Sequence, residues 1–247
     1  MIYNSDSTKV FISYHHEYDQ WAKDYLARIS RETGCFEDKS VNTGDIADDG
    51  RSSQAIREII RDEYLRDTEV TVLLCGAKTI GRKHIDWELK SSMINANFNC
   101  RSGILIILLP SADTGNYYIS MYGEKQAIYP DVPDIPGSWI AIDRKSDFER
   151  RWPDLPARVL DNLVKPDVQI SVVQWERIVN SPQKLKWLID NAAVAGRANP
   201  YDMSRPMRRR NAPLQTNALS SLLSAGEQPQ QNALATLLGE HMAQRRR

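Results

Sequence analysis

The chain has 247 residues, 41% hydrophobic and 26% charged, enough for one sizeable globular domain with appendages or two small ones. Lys plus Arg and Asp plus Glu each number 32, so the formal net charge is zero, which argues against a general nucleic-acid binder with its usual basic excess. Basic charge gathers only locally, at Arg205, Arg208, Arg209 and Arg210 and again at Arg245, Arg246 and Arg247. The cysteines, Cys35, Cys75 and Cys100, are odd in number and lack metal-ligand or redox-motif spacing. The expectation is a cytosolic protein with reduced thiols. Met1 to Lys9 is polar, unlike a signal peptide. The longest apolar run, Ile104 to Leu109, is far too short to span a bilayer.

In chain order, Val10 to Tyr14 is a β-branched and aromatic run that predicts a strand. A helix is predicted from about Glu17 to Arg31, with Trp21, Tyr25, Leu26 and Ile29 as its apolar face and Gly34 as its breaker. Cys35 to Glu37 reads as a short second strand. Asp38 to Gly50 is a polar, glycine-bearing loop, and Ser52 caps a further helix with Ile56, Ile59, Ile60, Tyr64 and Leu65 inward. Val70 to Cys75 is continuously apolar, as a strand covered on both faces should be. The next helix begins around His84 and carries Trp87, Leu89, Met93 and Ile94; Ile104 to Leu109 follows as the fourth strand. Ser111 to Pro136 is rich in Gly, Pro, Tyr and Asp and predicts a long irregular loop. Trp139 to Ile142 is expected as the fifth strand, followed by helices over 146–152 and 156–164, one more possible strand at Val168 to Val173, and a helix over Gln183 to Val194 with Leu185, Leu188 and Ile189 inward. In 212–247, Leu219, Leu222 and Leu223, then Leu234, Leu237 and Leu238, suggest two short amphipathic helices for packing or oligomer contacts.

Strands alternating with helices, with fully apolar central strands, imply an α/β fold: a flavodoxin-like doubly wound parallel sheet of about five strands, with a mostly helical C-terminal extension. Ligands of such sheets bind at the C-terminal strand edge where strand order reverses, here between strands one and three. Ser13, Tyr14, His15 and His16 leave strand one there. Gly76, Ala77 and Lys78 leave strand three and lead to Arg82, Lys83, His84, Asp86, Trp87 and Glu88. The predicted helix start puts Glu88 in its first turn, where unpaired N–H groups favour an ionised carboxylate. Two readings of Glu88 compete: an ordinary first-turn residue on a solvated face, or an acid that stabilises a cationic transition state. His15 and His16 alone make a poor metal site, so no metal is expected. Neither a Gly-x-Gly-x-x-Gly after strand one nor a P-loop is present.

The stretch KVFISYHHEYDQWAKDYL resembles the opening of TIR domains, in which a strand ending in Ser-Tyr leads into an acidic helix. FEDKSV resembles the segment after their second strand in prokaryotic TIR-like proteins. VTVLLCGAKTIGRKHIDWELKSS resembles their third strand and following helix, with a Trp-Glu pair near its start. NPYDMSRPMRRRN resembles a C-terminal element of the prokaryotic group that includes the TIR component of Thoeris antiphage defence. On this resemblance the chain divides into an N-terminal arm (1–8), a TIR-like domain (9–165), an extension packing on it (166–211) and an amphipathic or flexible tail (212–247).

The resemblance implies cleavage of the nicotinamide–ribose bond of NAD, with NAD as substrate and no cofactor. It also implies an ADP-ribose-derived signal, often cyclic, sensed by a separate effector. The family's catalytic glutamate maps onto Glu88. Departure of nicotinamide leaves an oxocarbenium-like ribose, which a fixed carboxylate stabilises. Phe11, Ser13 and Tyr14 are candidates to line the nicotinamide pocket, with Phe11 equally readable as core. Trp87 either stacks on a ring or covers the sheet. Asp38, Lys39 and Ser40 either contact ribose or phosphate or form an ordinary polar turn. Arg82 and Lys83 either neutralise the pyrophosphate or are simply solvated. Self-association is expected, and neither nucleic acid nor membrane is an expected partner. The competing classes are a non-catalytic TIR interaction module and a nucleotide-binding sensor without turnover; release of nicotinamide separates them from the enzyme.

Overall fold

The computed structural model describes residues 7–40, 65–95, 101–132 and 144–211. The loop from Val41 to Gly50, the helix expected from Ser52, the strand expected at Trp139 to Ile142, Cys100 and the 212–247 tail lie outside these residues. The description below concerns the unit Met1–Ala212.

Among the described residues its centre is a sheet of five parallel strands: β1 (Lys9–Ser13), β2 (Glu37–Asp38), β3 (Val70–Cys75), β4 (Gly103–Leu108) and β5 (Ser171–Gln174). Their order is β2-β1-β3-β4-β5, the flavodoxin-like arrangement, and the reversal falls between β1 and β3. There Val10 pairs with Val70 and Ser13 with Leu73. Every residue of β3 and β4 is buried, as expected of strands sandwiched between helical layers.

Side chains alternate between two cores. On one face Val10, Ile12, Val72, Leu74, Leu105 and Ile107 pack under α1 (His16–Thr33) and a C-terminal helix that begins at Pro182. On the other, Leu73, Cys75, Ile104, Ile106 and Leu108 pack under α2 (Lys83–Ser92) and the residues of the 145–163 helices. In chain order the remaining helices among the described residues are α3 (Tyr122–Ile128), α4 (Lys145–Arg151), α5 (Ala157–Leu163), the short α6 (Trp175–Ile178) and α7 (Pro182–Ala198). No helix among the described residues is long and apolar enough to cross a membrane.

The strand expected at Val168 to Val173 is present as Ser171–Gln174, paired with β4. Two expectations change. The 111–136 stretch is not an irregular loop throughout: Tyr118 bridges to Val172 and α3 follows, because Ile128 and Tyr129 bury themselves in the α1 and α7 core. Trp21 does not face the sheet. The inward positions of α1 are Asp19, Ala22, Leu26 and Ser30, and Trp21 stands half exposed, edge-on to Trp175. Gly34 ends α1 as expected, adopting φ 65° and donating its N–H to the Ser30 carbonyl.

Candidate active site

The sheet topology brings the end of β1 beside α2. Ser13, the last residue of β1, points to the α2 face, and its hydroxyl donates to Glu88 Oε2 at 2.6 Å. Glu88 is 6% exposed, and its helix also bonds back to the sheet, with Ser92 Oγ donating to the Glu88 carbonyl and pairing with Thr71 Oγ1. Burial pushes the Glu88 carboxyl up to about 7, and the Ser13 hydrogen bond pulls it back only in part.

This corrects the sequence-level account of Glu88. The helix begins at Lys83 with Arg82 as N-cap, so the first-turn acid is Asp86 and Glu88 sits in the second turn, beyond the unpaired N–H groups. The helix start therefore does not hold Glu88 ionised. Desolvation dominates and leaves an acid that changes protonation near neutral pH.

The other candidates divide. Phe11 is buried on the same strand face as Ser13, by the alternation of β1. Tyr14 belongs to the opposite core, with its hydroxyl donating to Gln20 Oε1 at 2.8 Å. Asp38 and Ser40 form a tight turn in which Asp38 Oδ1 accepts from Ser40 N–H. Ser40 Oγ accepts from the Ile12 N–H at 2.9 Å, next to Ser13, while Asp38 pairs with Lys23 and Lys39 with Glu37. Arg82 turns its Nε to the Lys78 carbonyl. Lys83 lies over the Trp87 ring, and Trp87 is buried with its indole N–H donating to the Arg208 carbonyl at 2.8 Å. Trp87 is thus tied to the chain near Arg208.

What holds Trp87 is a strap over residues 199–211. Arg158 on α5, fully buried, makes a two-pronged ion pair with Asp86 on α2, Nε–Oδ1 2.9 Å and Nη2–Oδ2 3.2 Å, and also donates to the carbonyls of Arg205 and Pro206. Asp86 Oδ2 accepts in addition from the Arg208 N–H, Lys90 donates to the Arg205 carbonyl, and Asn211 Oδ1 accepts from the Lys83 N–H. Arg205 closes the clamp onto Asp161. The DMSRPMRRRN run is therefore structural: it fixes the helix that carries Glu88.

Sequence reasoning missed Asp19. It sits buried in the first turn of α1 against Gly76, which follows β3, and burial raises its carboxyl to about 6. The available signal was an acid four residues after the helix cap, opposite a glycine at the switch point. A hollow of 500 Å³ lined by Lys90, Met93, Arg101, Tyr201 and others lies at the opposite, N-terminal edge of the sheet and contains none of these acids. Among the described residues no group of three or more His, Cys, Asp or Glu side chains is placed to hold a metal.

A parallel sheet in this order, with a buried acid on the helix after the third strand facing the end of the first, is consistent with a TIR-like domain. Residues 11–114, less than half of the chain, match the family model described as Thoeris protein ThsB, TIR-like domain. The chain thus carries a TIR-like domain of the ThsB type, whose matched part starts within β1 and runs through α1, β3, α2 and β4. No curated protein and no solved structure matches the chain.

Proposed function

We propose that this chain is an NAD-consuming enzyme that cleaves the nicotinamide–ribose bond with Glu88 as its catalytic carboxylate. The observation that carries the reading is the buried Glu88–Ser13 pair at the switch point of the sheet. Nicotinamide leaves with the electron pair of the C–N bond and departs neutral, so no acid is needed to protonate it. The ribose left behind is an oxocarbenium-like cation. A carboxylate shielded from water stabilises that charge more strongly than an exposed one, because the surrounding dielectric is low. A ribose hydroxyl taking the place of the Ser13 hydroxyl on Glu88 would couple substrate binding to ionisation of the acid.

Capture of the cation by water gives ADP-ribose, and capture by a nucleophilic atom of its own adenine gives a cyclic isomer. In keeping with the Thoeris-type domain, we assign the product as an ADP-ribose-derived cyclic signal in antiphage defence, made in the cytoplasm and sensed by a separate effector. Self-association of the chain completes this reading.

The test is nicotinamide release from NAD by the full chain at high protein concentration and in lysate of phage-infected cells, comparing wild type with Glu88→Gln. Release by wild type and a loss of at least about a hundredfold in the variant are expected, the scale of removing one electrostatic stabiliser of a transition state. Equal release from both proteins overturns the role of Glu88. No release in either setting favours the interaction module. One observation supports that second reading: Tyr18 and Trp21, 48% and 49% exposed, form an aromatic patch on α1.

A further inference from the structure

The hollow at the N-terminal edge of the sheet serves no step of the Glu88 chemistry. Its volume, about 500 Å³, lies within the range of pockets that hold small molecules. It opens between the end of α2 and the strap. Lys90, Met93 and Ile94 come from α2 and its C-terminal end, Arg101 from the residues just before β4, and Tyr201 and Met203 from the strap. Two cations therefore line one hollow, and no Asp or Glu lines it among the described residues. The C-terminal end of α2 contributes about half a negative charge, which two full positive charges outweigh.

The walls are held from behind. Arg101 Nη1 donates to the Asn199 carbonyl, and Lys90 Nζ donates to the Arg205 carbonyl at 3.0 Å, so both cations are tied to the strap. Arg101 spends one of its five N–H donors in this way. Asn199 is locked in turn: its side chain accepts from the Gln169 N–H at 2.8 Å and donates to the Gln169 carbonyl at 2.9 Å. The Tyr201 hydroxyl donates to the Ser102 carbonyl at 3.1 Å and accepts from Asn199 Nδ2 at 3.0 Å. Burial pushes that hydroxyl up to about 12, so it stays protonated. Its polar capacity is used inside the fold, and what Tyr201 offers the hollow is ring surface.

The chemistry narrows the ligand. Two cations without an acid beside them disfavour a cation and favour an anion carrying more than one charge. Arginine matches the oxygens of a phosphate with its planar fork, and lysine adds a point charge. Met93, Ile94, Met203 and the Tyr201 ring make the rest of the lining largely apolar. Thioethers pack favourably on aromatic rings. A ligand matched to both halves carries a phosphate at one end and a flat ring at the other. We propose that this hollow binds a nucleoside monophosphate, with Arg101 and Lys90 on the phosphate and Met203 and the Tyr201 ring against the base. The site is separate from that of the NAD reading and does not rest on it.

The experiment titrates AMP, adenosine and ribose 5-phosphate into the full chain and follows its methionine methyl resonances. The chain has six methionines, and Met203→Leu identifies the signal that matters. AMP should shift the Met203 methyl. It should also bind about tenfold or more tightly than adenosine, which lacks the phosphate, as expected for hydrogen bonds to charged groups, and more tightly than ribose 5-phosphate, which lacks the base. Arg101→Gln keeps a donor for the Asn199 carbonyl but removes the charge, and should weaken AMP by about tenfold or more. Met203→Glu, at a partly exposed position that leaves the Arg101 bond intact, puts a negative charge in the hollow and should weaken AMP as well. AMP binding that leaves the Met203 methyl unmoved, or that both substitutions leave undiminished, overturns the site. So do an affinity for AMP no greater than for either fragment, and no binding of AMP at all. AMP is also a part of NAD, so binding elsewhere on the chain sinks the hollow and keeps the NAD reading. Nicotinamide release is read separately, and its absence beside a shifted Met203 methyl does the reverse.

Discussion

At the scale of single residues, the site turns on how much water Glu88 sees. Its carboxyl lies at about 7, above its ordinary 4.5, so between those values the folded protein binds a proton that the unfolded chain has released. Stability therefore falls as pH rises through that window, by about 3 kcal/mol at most for the full shift. Glu88→Gln carries no charge to desolvate. It should be more stable than wild type at pH 8 and nearly equal at pH 5, which urea unfolding at the two pH values measures. A stability difference independent of pH would mean that Glu88 is solvated. The same ionisation should make wild-type turnover rise with pH through about 7 if the carboxylate is the working form. Ser13→Ala removes the hydrogen bond that favours the ionised acid, so it should move that rise to higher pH and leave the carboxylate less satisfied, at about 1–3 kcal/mol. A pH–rate profile left unshifted by Ser13→Ala would show that the Ser13–Glu88 bond does not tune the acid.

At the scale of elements, backbone contact sets how tightly the layers close. Gly103 opens β4 and Gly196 lies in α7, and the two meet with no room for a side chain. A Cβ on Gly196 would fall 2.1 Å from the Gly103 nitrogen, and one on Gly103 would fall 1.8 Å from the Ala192 carbonyl oxygen. Both obstacles are main-chain atoms, which cannot rotate away. Gly196→Ala should therefore destabilise the domain by about 1–3 kcal/mol or more despite the better helix propensity of alanine. Gly123→Ala in α3 is the control, since its new Cβ would meet only the Trp187 ring at 3.4 Å. It should be neutral or stabilising by up to about 1 kcal/mol. Equal chemical-denaturation midpoints for the two variants would contradict the close approach. Most of the elements were legible in the sequence because they are written in short-range patterns: the apolar run Val70 to Cys75 is β3 residue for residue, and Leu185, Leu188 and Ile189 face inward on α7. The departures have long-range causes. Trp21 looked inward by spacing, but the buried stripe of α1 is set by what the sheet offers at Asp19, Ala22 and Leu26. The 122–128 helix was hidden because its burial depends on Tyr129 and Ile128 meeting α7, contacts that periodicity within the stretch does not encode. Glu88 was singled out by resemblance, and topology put it beside the end of β1, where it bonds Ser13. Its environment was misjudged because the first turn of α2 starts one residue earlier than expected and because burial cannot be read from spacing.

At the scale of the whole molecule, the helix that carries Glu88 is held from outside the matched TIR-like segment. The clamp comes from α5 and the strap, through Arg158, Arg205, Arg208 and Asn211, none of which lies within residues 11–114. Arg158 is the centre of that clamp: it neutralises Asp86 and ties down two strap carbonyls with no exposure to water. Arg158→Met leaves the Asp86 carboxylate buried with one N–H donor from Arg208 and without its paired guanidinium, which should cost about 3–5 kcal/mol. Replacing both partners, Arg158→Met with Asp86→Leu, removes the stranded charge and should recover most of that loss, since buried ion pairs often trade evenly against apolar packing. Stability and turnover should then part company. The double variant folds but loses the polar ties that fix α2 to the strap, so nicotinamide release should stay depressed while the unfolding midpoint returns. Trp87 fluorescence gives an independent reading, because its indole N–H is held by the Arg208 carbonyl and should become more solvent-accessible when the strap loosens. Full recovery of both stability and release in the double variant would show that the strap only buries surface and does not position the acid.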